Sequence, residues 1–345
     1  MLTPRDSVMI WMPSKHMGNL LVSLRAVEAL ENAVGDRTCA LVIDETYRDL
    51  MDATALRSPV IYFPRKKIDN AGVRAKLGKV LAFIKETRKL KPSVAIAVEG
   101  DKVSQKFTPF SGCRLSIGPD NRYCKFYDVR LALDHGQRHV FHDYEAVARQ
   151  LTGTPLAPGY IHLEPTDKAR ARLDQILGSN LPFPGRPYAI IHPCATKDYK
   201  QWPMDDFAAL ADAVSASAVN VVITGAGSFD GETIAGLRTR VKHPVISLHN
   251  QLSIGELIAL MKSALFFIGN DTGPTHLAAA CGTPTFALFG PTDEYLWGPL
   301  GDNATILRSR VACEPECLRR NCAVGYRCMQ TLDISDVFNR IRALL

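Results

Sequence analysis

The run Asp271-Thr272-Gly273-Pro274-Thr275-His276 puts a carboxylate, two hydroxyls, a glycine and an imidazole between two apolar segments. An apolar stretch ends at Gly269-Asn270 and the small residues Ala278, Ala279 and Ala280 follow, so the turn falls where a strand ends and a helix begins. Pro274 suits a first helical turn, where its missing N–H would have no partner. Gly273 lets a ligand approach the backbone, and Gly282 with Pro284 stops the helix. Such a helix start offers unsatisfied N–H donors and a positive dipole end, which suits an anion. In open α/β sheets, ligands gather at the carboxyl ends of strands, where this turn lies. The competing reading is that Asp271 or Thr272 caps the helix and His276 is an ordinary first-turn residue. The residue pattern leaves both open.

Two other turns carry related chemistry. His192-Pro193-Cys194-Ala195-Thr196-Lys197-Asp198-Tyr199-Lys200-Gln201-Trp202-Pro203 follows an apolar run, and a lysine there can neutralise a diphosphate as a flexible point charge. The other reading is an exposed loop lysine. Trp202-Pro203 with Phe207 marks a helix entry anchored by packing. Thr224-Gly225-Ala226-Gly227-Ser228 with Gly231 spaces its glycines as G-x-G-x-x-x-G, one place off the dinucleotide fingerprint. It reads as a tight turn at the rim of a nucleotide site rather than a dehydrogenase loop. Cys313, Cys317, Cys322 and Cys328 could supply four thiolates to a structural zinc or iron. Their spacing lacks paired C-x₂-C knuckles, so reduced thiols or a labile disulfide are the alternatives. The scattered Cys39, Cys113, Cys124, Cys194 and Cys281 read as small core residues.

These turns need strands and helices to hold them. Val8–Met12, Ala40–Ile43, Val94–Val98, Tyr188–Ile191, Asn220–Ile223, Leu265–Ile268 and Thr285–Phe289 are short apolar runs. Helical patterns lie between them: one carrying Leu20, Leu24, Val27, Leu30 and Val34, then residues 71–90, a stretch from about 204, one near 232, and one opened by the capping-box spacing Ser253–Glu256. This alternation predicts parallel sheets covered by helices, an α/β protein. Prolines at 155, 158, 165, 182, 184 and 187 flank a polar helical stretch, 166–178, and mark a junction. We expect two domains, residues 1–165 and 166–345, with a closing amphipathic helix over 334–345 that could pack on either.

With 345 residues, 46% hydrophobic and 22% charged, the composition is that of a soluble globular protein. No apolar run reaches the roughly 20 residues that cross a bilayer, and no secretion signal is evident, so a cytoplasmic location is expected. The net charge of +6 is concentrated between Arg65 and Lys91. No nucleic-acid module accompanies it, so no nucleic-acid partner is expected; a phosphorylated substrate or an anionic membrane surface suits it as well.

Taken together, "HPCATKDYKQWP", "ITGAGS" and "GNDTGPTHLAAACGTPTFALFG" resemble the lipopolysaccharide heptosyltransferases, glycosyltransferase family 9. "PSKHMGNLLVSLRAVEAL" and "CEPECLRRNCAVGYRCM" are similar to that family's opening and closing segments. The resemblance implies a GT-B architecture, two Rossmann-like domains facing each other across a cleft. It implies inverting transfer of a heptose from a nucleoside-diphosphate donor, typically ADP-heptose, held by the C-terminal domain. The N-terminal domain would meet a lipid-linked or phosphorylated glycan acceptor at the inner face of the inner membrane. No cofactor is implied for transfer. Carried over, Thr196 and Lys200 would contact the diphosphate or sugar, Asp271 and Thr272 would bind donor groups, and Gly273 and His276 would hold the diphosphate. The family's ribose-binding carboxylate would fall near Gly227 or Ser228, so that contact is altered here.

One departure concerns catalysis. The family reads Ser-x-x-Gly-Asp at its first turn, with the Asp as proposed general base, whereas Lys15-His16-Met17-Gly18-Asn19 ends in an amide. An amide cannot take a proton at neutral pH and a carboxylate in reach can. His16, Glu99 and Asp101 are the candidate substitutes. The alternatives to transfer are a donor-binding relative without turnover and a GT-B sugar-nucleotide epimerase.

Overall fold

A computed structural model describes residues 5–120, 126–133, 136, 138–309, 322 and 325–345. The chain divides into two units, Met1–Ile161 and His162–Leu345. The second begins slightly before the expected junction at 166. Glu164 already pairs with Arg170 and, at 2.6 Å, with Lys262, both in the second unit.

The first unit holds strands β1 (Val8–Met12), β2 (Thr38–Asp44), β3 (Val60–Phe63), β4 (Val94–Ala97), β5 (Leu115–Pro119) and β6 (Val129–Leu131). They form one parallel sheet in the order β3-β2-β1-β4-β5-β6. The second unit holds β7 (Tyr188–His192), β8 (Asn220–Ile223), β9 (Ile246–Ser247), β10 (Phe267–Asn270), β11 (Thr285–Phe289) and β12 (Ala304–Arg308). Its parallel sheet runs β12-β11-β10-β7-β8-β9, the same winding restarted. Both are doubly wound sheets, in which three strands run outward one way and the chain then returns beside the first strand and winds the other way. That reversal lies between β1 and β4 in the first unit and between β7 and β10 in the second.

The central strands are buried on both faces, which explains their uninterrupted apolar runs. In the first unit, Trp11 and Phe63 each meet the edge or face of Phe83, at 6.0 and 5.2 Å between ring centroids. In the second, Trp202 packs edge-on against Phe207 at 5.0 Å, the anchored helix entry expected from Trp202-Pro203. The capping box forms as expected, with Ser253 and Glu256 each bonding the other's backbone N–H. The closing helix, Ile334–Ile341, belongs to the second core: it packs on the helix Met204–Ala216 through Val337 and Ile341. β10 starts two residues later than its apolar run suggests, because Leu265 and Phe266 lead into the sheet. No described helix is long and apolar enough to cross a membrane.

Candidate functional site

The switch point of the second unit is made by the segments leaving β7 and β10. The two strands lie side by side, with Gly269 opposite His192. A Cβ on Gly269 would lie 2.8 Å from the His192 carbonyl oxygen, so the missing side chain permits the close approach. At the end of β10, the buried side chain of Asn270 donates to the Pro193 carbonyl at 2.8 Å and accepts the Trp202 backbone N–H at 3.0 Å. One amide thus ties both ends of the β7 loop to β10. The Trp202 indole N–H also donates to the Leu332 carbonyl at 2.9 Å. The intervening segment is fixed at its base, and Lys200 reaches from it to Asp271, with Nζ 2.6 Å from Oδ2. Asp271 is nearly buried and Lys200 partly exposed, so the loop lysine is held by a partner rather than swinging in solvent.

The helix Gly273–Ala280 begins directly after that carboxylate. Thr272 occupies the cap position, but its hydroxyl donates back to the Asn270 carbonyl at 3.3 Å and makes no cap. The Thr275 hydroxyl donates to the same carbonyl at 2.5 Å. The capping reading for Thr272 therefore gives way: both hydroxyls face the strand end, and the Thr275 N–H donates to the Thr272 carbonyl at 3.2 Å. His276 is buried in the first turn, while Gly273 is partly exposed. Thr196 lies exposed on the β7 loop.

A second helix start in this unit behaves oppositely. Gly227 opens the helix Gly227–Arg238 with φ of +86°, a left-handed conformation that favours glycine. Its N–H is taken by the Asn250 side chain at 2.7 Å, and the Ala226 N–H by Asp230 Oδ2 at 2.8 Å. The Gly227 carbonyl is met by His249 Nε2 at 2.7 Å. These donors are occupied by the protein itself, so the glycine turn is no phosphate cradle. Gly227 and Ser228 form an exposed rim.

In the first unit, the switch point brings together residues that the sequence separates by about eighty positions. Asn19, on the helix Met17–Val34 after β1, donates from Nδ2 to Glu99 Oε1 at 2.9 Å, just beyond β4. Loss of hydration and the nearby Asp101 charge push the Glu99 carboxyl up; the Asn19 amide, the neighbouring Ser14 hydroxyl and Arg65 pull it back, leaving it at about 7. The other carboxylate oxygen, Oε2, is buried without a hydrogen-bond partner among the described residues. Asp101 uses its carboxylate to cap the helix Lys102–Phe107, accepting from the Val103 and Ser104 N–H groups. His16 is exposed at the start of its helix. Of the three candidate substitutes for the missing acid, Glu99 is the one in hydrogen-bond contact with Asn19.

The loop before Asn19 is pinned from two sides. Arg65 pairs with Asp44 and donates to the Pro13 carbonyl, and the Tyr47 hydroxyl donates to the Lys15 carbonyl at 2.7 Å. Sequence reading passed over Arg65, Asp44 and Tyr47 in this role, since only Asp44 showed a signal, a carboxylate at a strand's carboxyl end.

Of the four clustered cysteines, Cys313 and Cys317 lie outside the described residues, as does Cys124. Cys322 Sγ accepts the Tyr326 N–H at 3.2 Å, and Cys328 is buried beside Gly290. Among the described residues, no group of three or more His, Cys, Asp or Glu could hold a metal ion.

Residues 105–326 match the family model described as Glycosyltransferase family 9 (heptosyltransferase). Lipopolysaccharide heptosyltransferase 3 of Escherichia coli is 37% identical over 124 residues, 34% of this chain and 36% of that protein. The match thus spans little more than a third of this relative's length. The solved glycosyl transferase family 9 structure from Veillonella parvula superposes with a TM-score of 0.85 at 19% identity, covering 99% of this chain and 97% of that one. E. coli ADP-heptose lps heptosyltransferase II gives a TM-score of 0.80 at 17% identity, covering 98% of each chain. These two establish a shared fold, two doubly wound α/β units in one chain.

Proposed function

This chain belongs to glycosyltransferase family 9 (heptosyltransferase), and from that premise we propose that it transfers a heptose from ADP-heptose to a phosphorylated, lipid-linked lipopolysaccharide core acceptor. The second unit would bind the donor. Its diphosphate lies at the start of the helix Gly273–Ala280, where the Gly273 backbone and the helix dipole favour negative charge. Lys200 adds a positive charge, and Asp271 keeps that lysine aimed at the turn. Thr272 and Gly273 border the phosphates, His276 supports the first turn, Thr196 lies on the facing loop, and Gly227 and Ser228 form the rim toward the nucleoside.

The first unit would supply the acceptor site and the base. The acceptor hydroxyl attacks the anomeric carbon while the C–O bond to the diphosphate breaks on the opposite face, inverting that carbon. The hydroxyl proton passes to Glu99, whose carboxyl at about 7 balances ionisation against basicity near neutral pH. Asn19 keeps Glu99 in place through the amide hydrogen bond. Negative charge developing on the leaving diphosphate is met by the helix start and Lys200.

The observation that carries the transferase reading over a donor-binding relative without turnover is the 2.9 Å Asn19–Glu99 contact. It supports a carboxylate standing beside the position where the family's Asp is replaced by Asn. Incubating the full chain with ADP-heptose and a heptose-deficient lipopolysaccharide acceptor tests the reading by release of ADP and gain of mass on the acceptor. Donor binding by calorimetry with no product would establish the binding relative instead. Epimerised donor released without acceptor would establish an epimerase.

A further inference from the structure

The helix Val73–Lys89 is poorly explained by the core of its own unit. Phe83 and Thr87 are its buried residues, whereas Val73, Leu77 and Leu81 are 87%, 61% and 56% exposed. Spaced four apart, these three form one line along the helix. Lys85 and Arg88 follow Leu81 by four and seven residues and Arg74 precedes it by seven, so all three cations share the side of the helix that Leu81 faces. Arg88 donates to the Phe110 carbonyl at 2.9 Å, and Phe110 is itself half exposed. Residues 65–91 carry ten basic and two acidic side chains, more positive charge than the whole chain's net +6, so the remainder of the protein is net negative.

An apolar line bordered by unbalanced cations narrows the occupant. A second copy of this surface would bring like charges together. A nucleic acid would meet the cations and leave the valine and leucines in water. An anionic bilayer satisfies both, with phosphates for the cations and acyl chains for the leucines. We propose that this helix docks on the surface of an anionic lipid bilayer, with Leu77 and Leu81 inserted below the headgroups. The inference deepens the reading of a lipid-linked acceptor and rests on it for its purpose: a protein seated on the membrane meets an acceptor confined there.

The test uses the full chain without donor or acceptor, sedimented with vesicles of phosphatidylethanolamine and phosphatidylglycerol or of phosphatidylcholine alone. The parent should bind the anionic vesicles and scarcely the neutral ones. Leu77→Ser with Leu81→Ser should weaken binding at least tenfold, and Arg74→Glu with Lys85→Glu should weaken it at low salt, with the difference shrinking as salt rises. Leu81→Trp should show a blue shift in emission over the parent when anionic vesicles are added. Binding by the double serine variant within twofold of the parent, or an unshifted tryptophan, overturns the proposal. So does a change in oligomeric state of the lipid-free protein caused by the serine pair, since the stripe would then be covered by protein. A parent that binds anionic vesicles as described but transfers no sugar leaves this surface standing and removes the transferase reading, so the two fail separately.

Discussion

The two switch points share a strand order and differ in almost everything chemical. In the second unit, a lysine and an aspartate 2.6 Å apart stand before a helix start whose cap residue, Thr272, makes no side-chain cap. In the first, an amide and a glutamate meet at 2.9 Å, and the glutamate holds its proton to about 7. In the proposed reaction, one place would receive negative charge and the other a proton. Topology positions both, because loops leaving β1 and β4, or β7 and β10, must converge where the winding reverses. The side chains on those loops then decide the chemistry.

The difference can be broken first at the proton acceptor. Glu99→Gln should lower turnover by about 10² to 10⁴, the usual worth of general-base assistance, while calorimetric donor affinity stays at the parent value. Equal turnover in both proteins would remove Glu99 from the reaction. The same substitution has a stability signature. A carboxyl raised from 4.5 to about 7 on folding contributes stability that is full below pH 4.5 and is lost as pH rises to about 7, because in that window the unfolded chain has released a proton that the folded state still holds. Glu99→Gln should therefore gain Tm relative to the parent as pH rises from about 4.5 to about 7, with the gain level above that and vanishing below about pH 4.5, where both states are protonated.

At the other switch point, Lys200→Ala and Asp271→Ala should weaken donor binding by roughly 10- to 100-fold, given about 1.5–3 kcal/mol for hydrogen bonds to charged groups. Turnover at saturating donor should fall less for Asp271→Ala than for Lys200→Ala, since in the proposed reaction the lysine meets the leaving phosphate. Normal donor affinity in Asp271→Ala would displace the site from this turn. Asn270→Ala should cost about 1–3 kcal/mol of stability, seen in denaturant melts, by stranding the Trp202 N–H and Pro193 carbonyl.

The smallest effect concerns Asn19. Asn19→Asp places a second carboxylate against Glu99, and like charges at that distance raise the pair's apparent pKa. The rising limb of kcat/KM with pH should move upward, with donor affinity nearly unchanged. A downward shift would mean that the new Asp takes over as base and Glu99 stands aside.

Much of this was legible in the residues. β1, β8 and β11 fall on the runs that announced them, because strands buried on both faces must be apolar throughout. β3, β5, β6, β9 and β12 escaped notice: β3, β6, β9 and β12 are edge strands with half-exposed residues, and the serine, glycine and proline of β5, Leu-Ser-Ile-Gly-Pro, break up an apolar run. The turn Asp271–His276 was readable because its parts are consecutive. The Asn19–Glu99 contact was named only as separate candidates, since a pair eighty residues apart is created by β1 lying beside β4. The role of Asn270 was invisible for a related reason: a buried side-chain amide looks in sequence like any polar residue at a strand end.

The indole of Trp202 has a consequence for how the protein is made. Every strand of both sheets is present once the chain has reached Arg308, yet the partner of that indole is the carbonyl of Leu332. On the ribosome, both sheets can therefore be fully threaded while the lysine-bearing loop still lacks one of its ties. Order of synthesis thus becomes order of fixing: the sheets can form first, and the loop that carries Lys200 gains this tie afterwards.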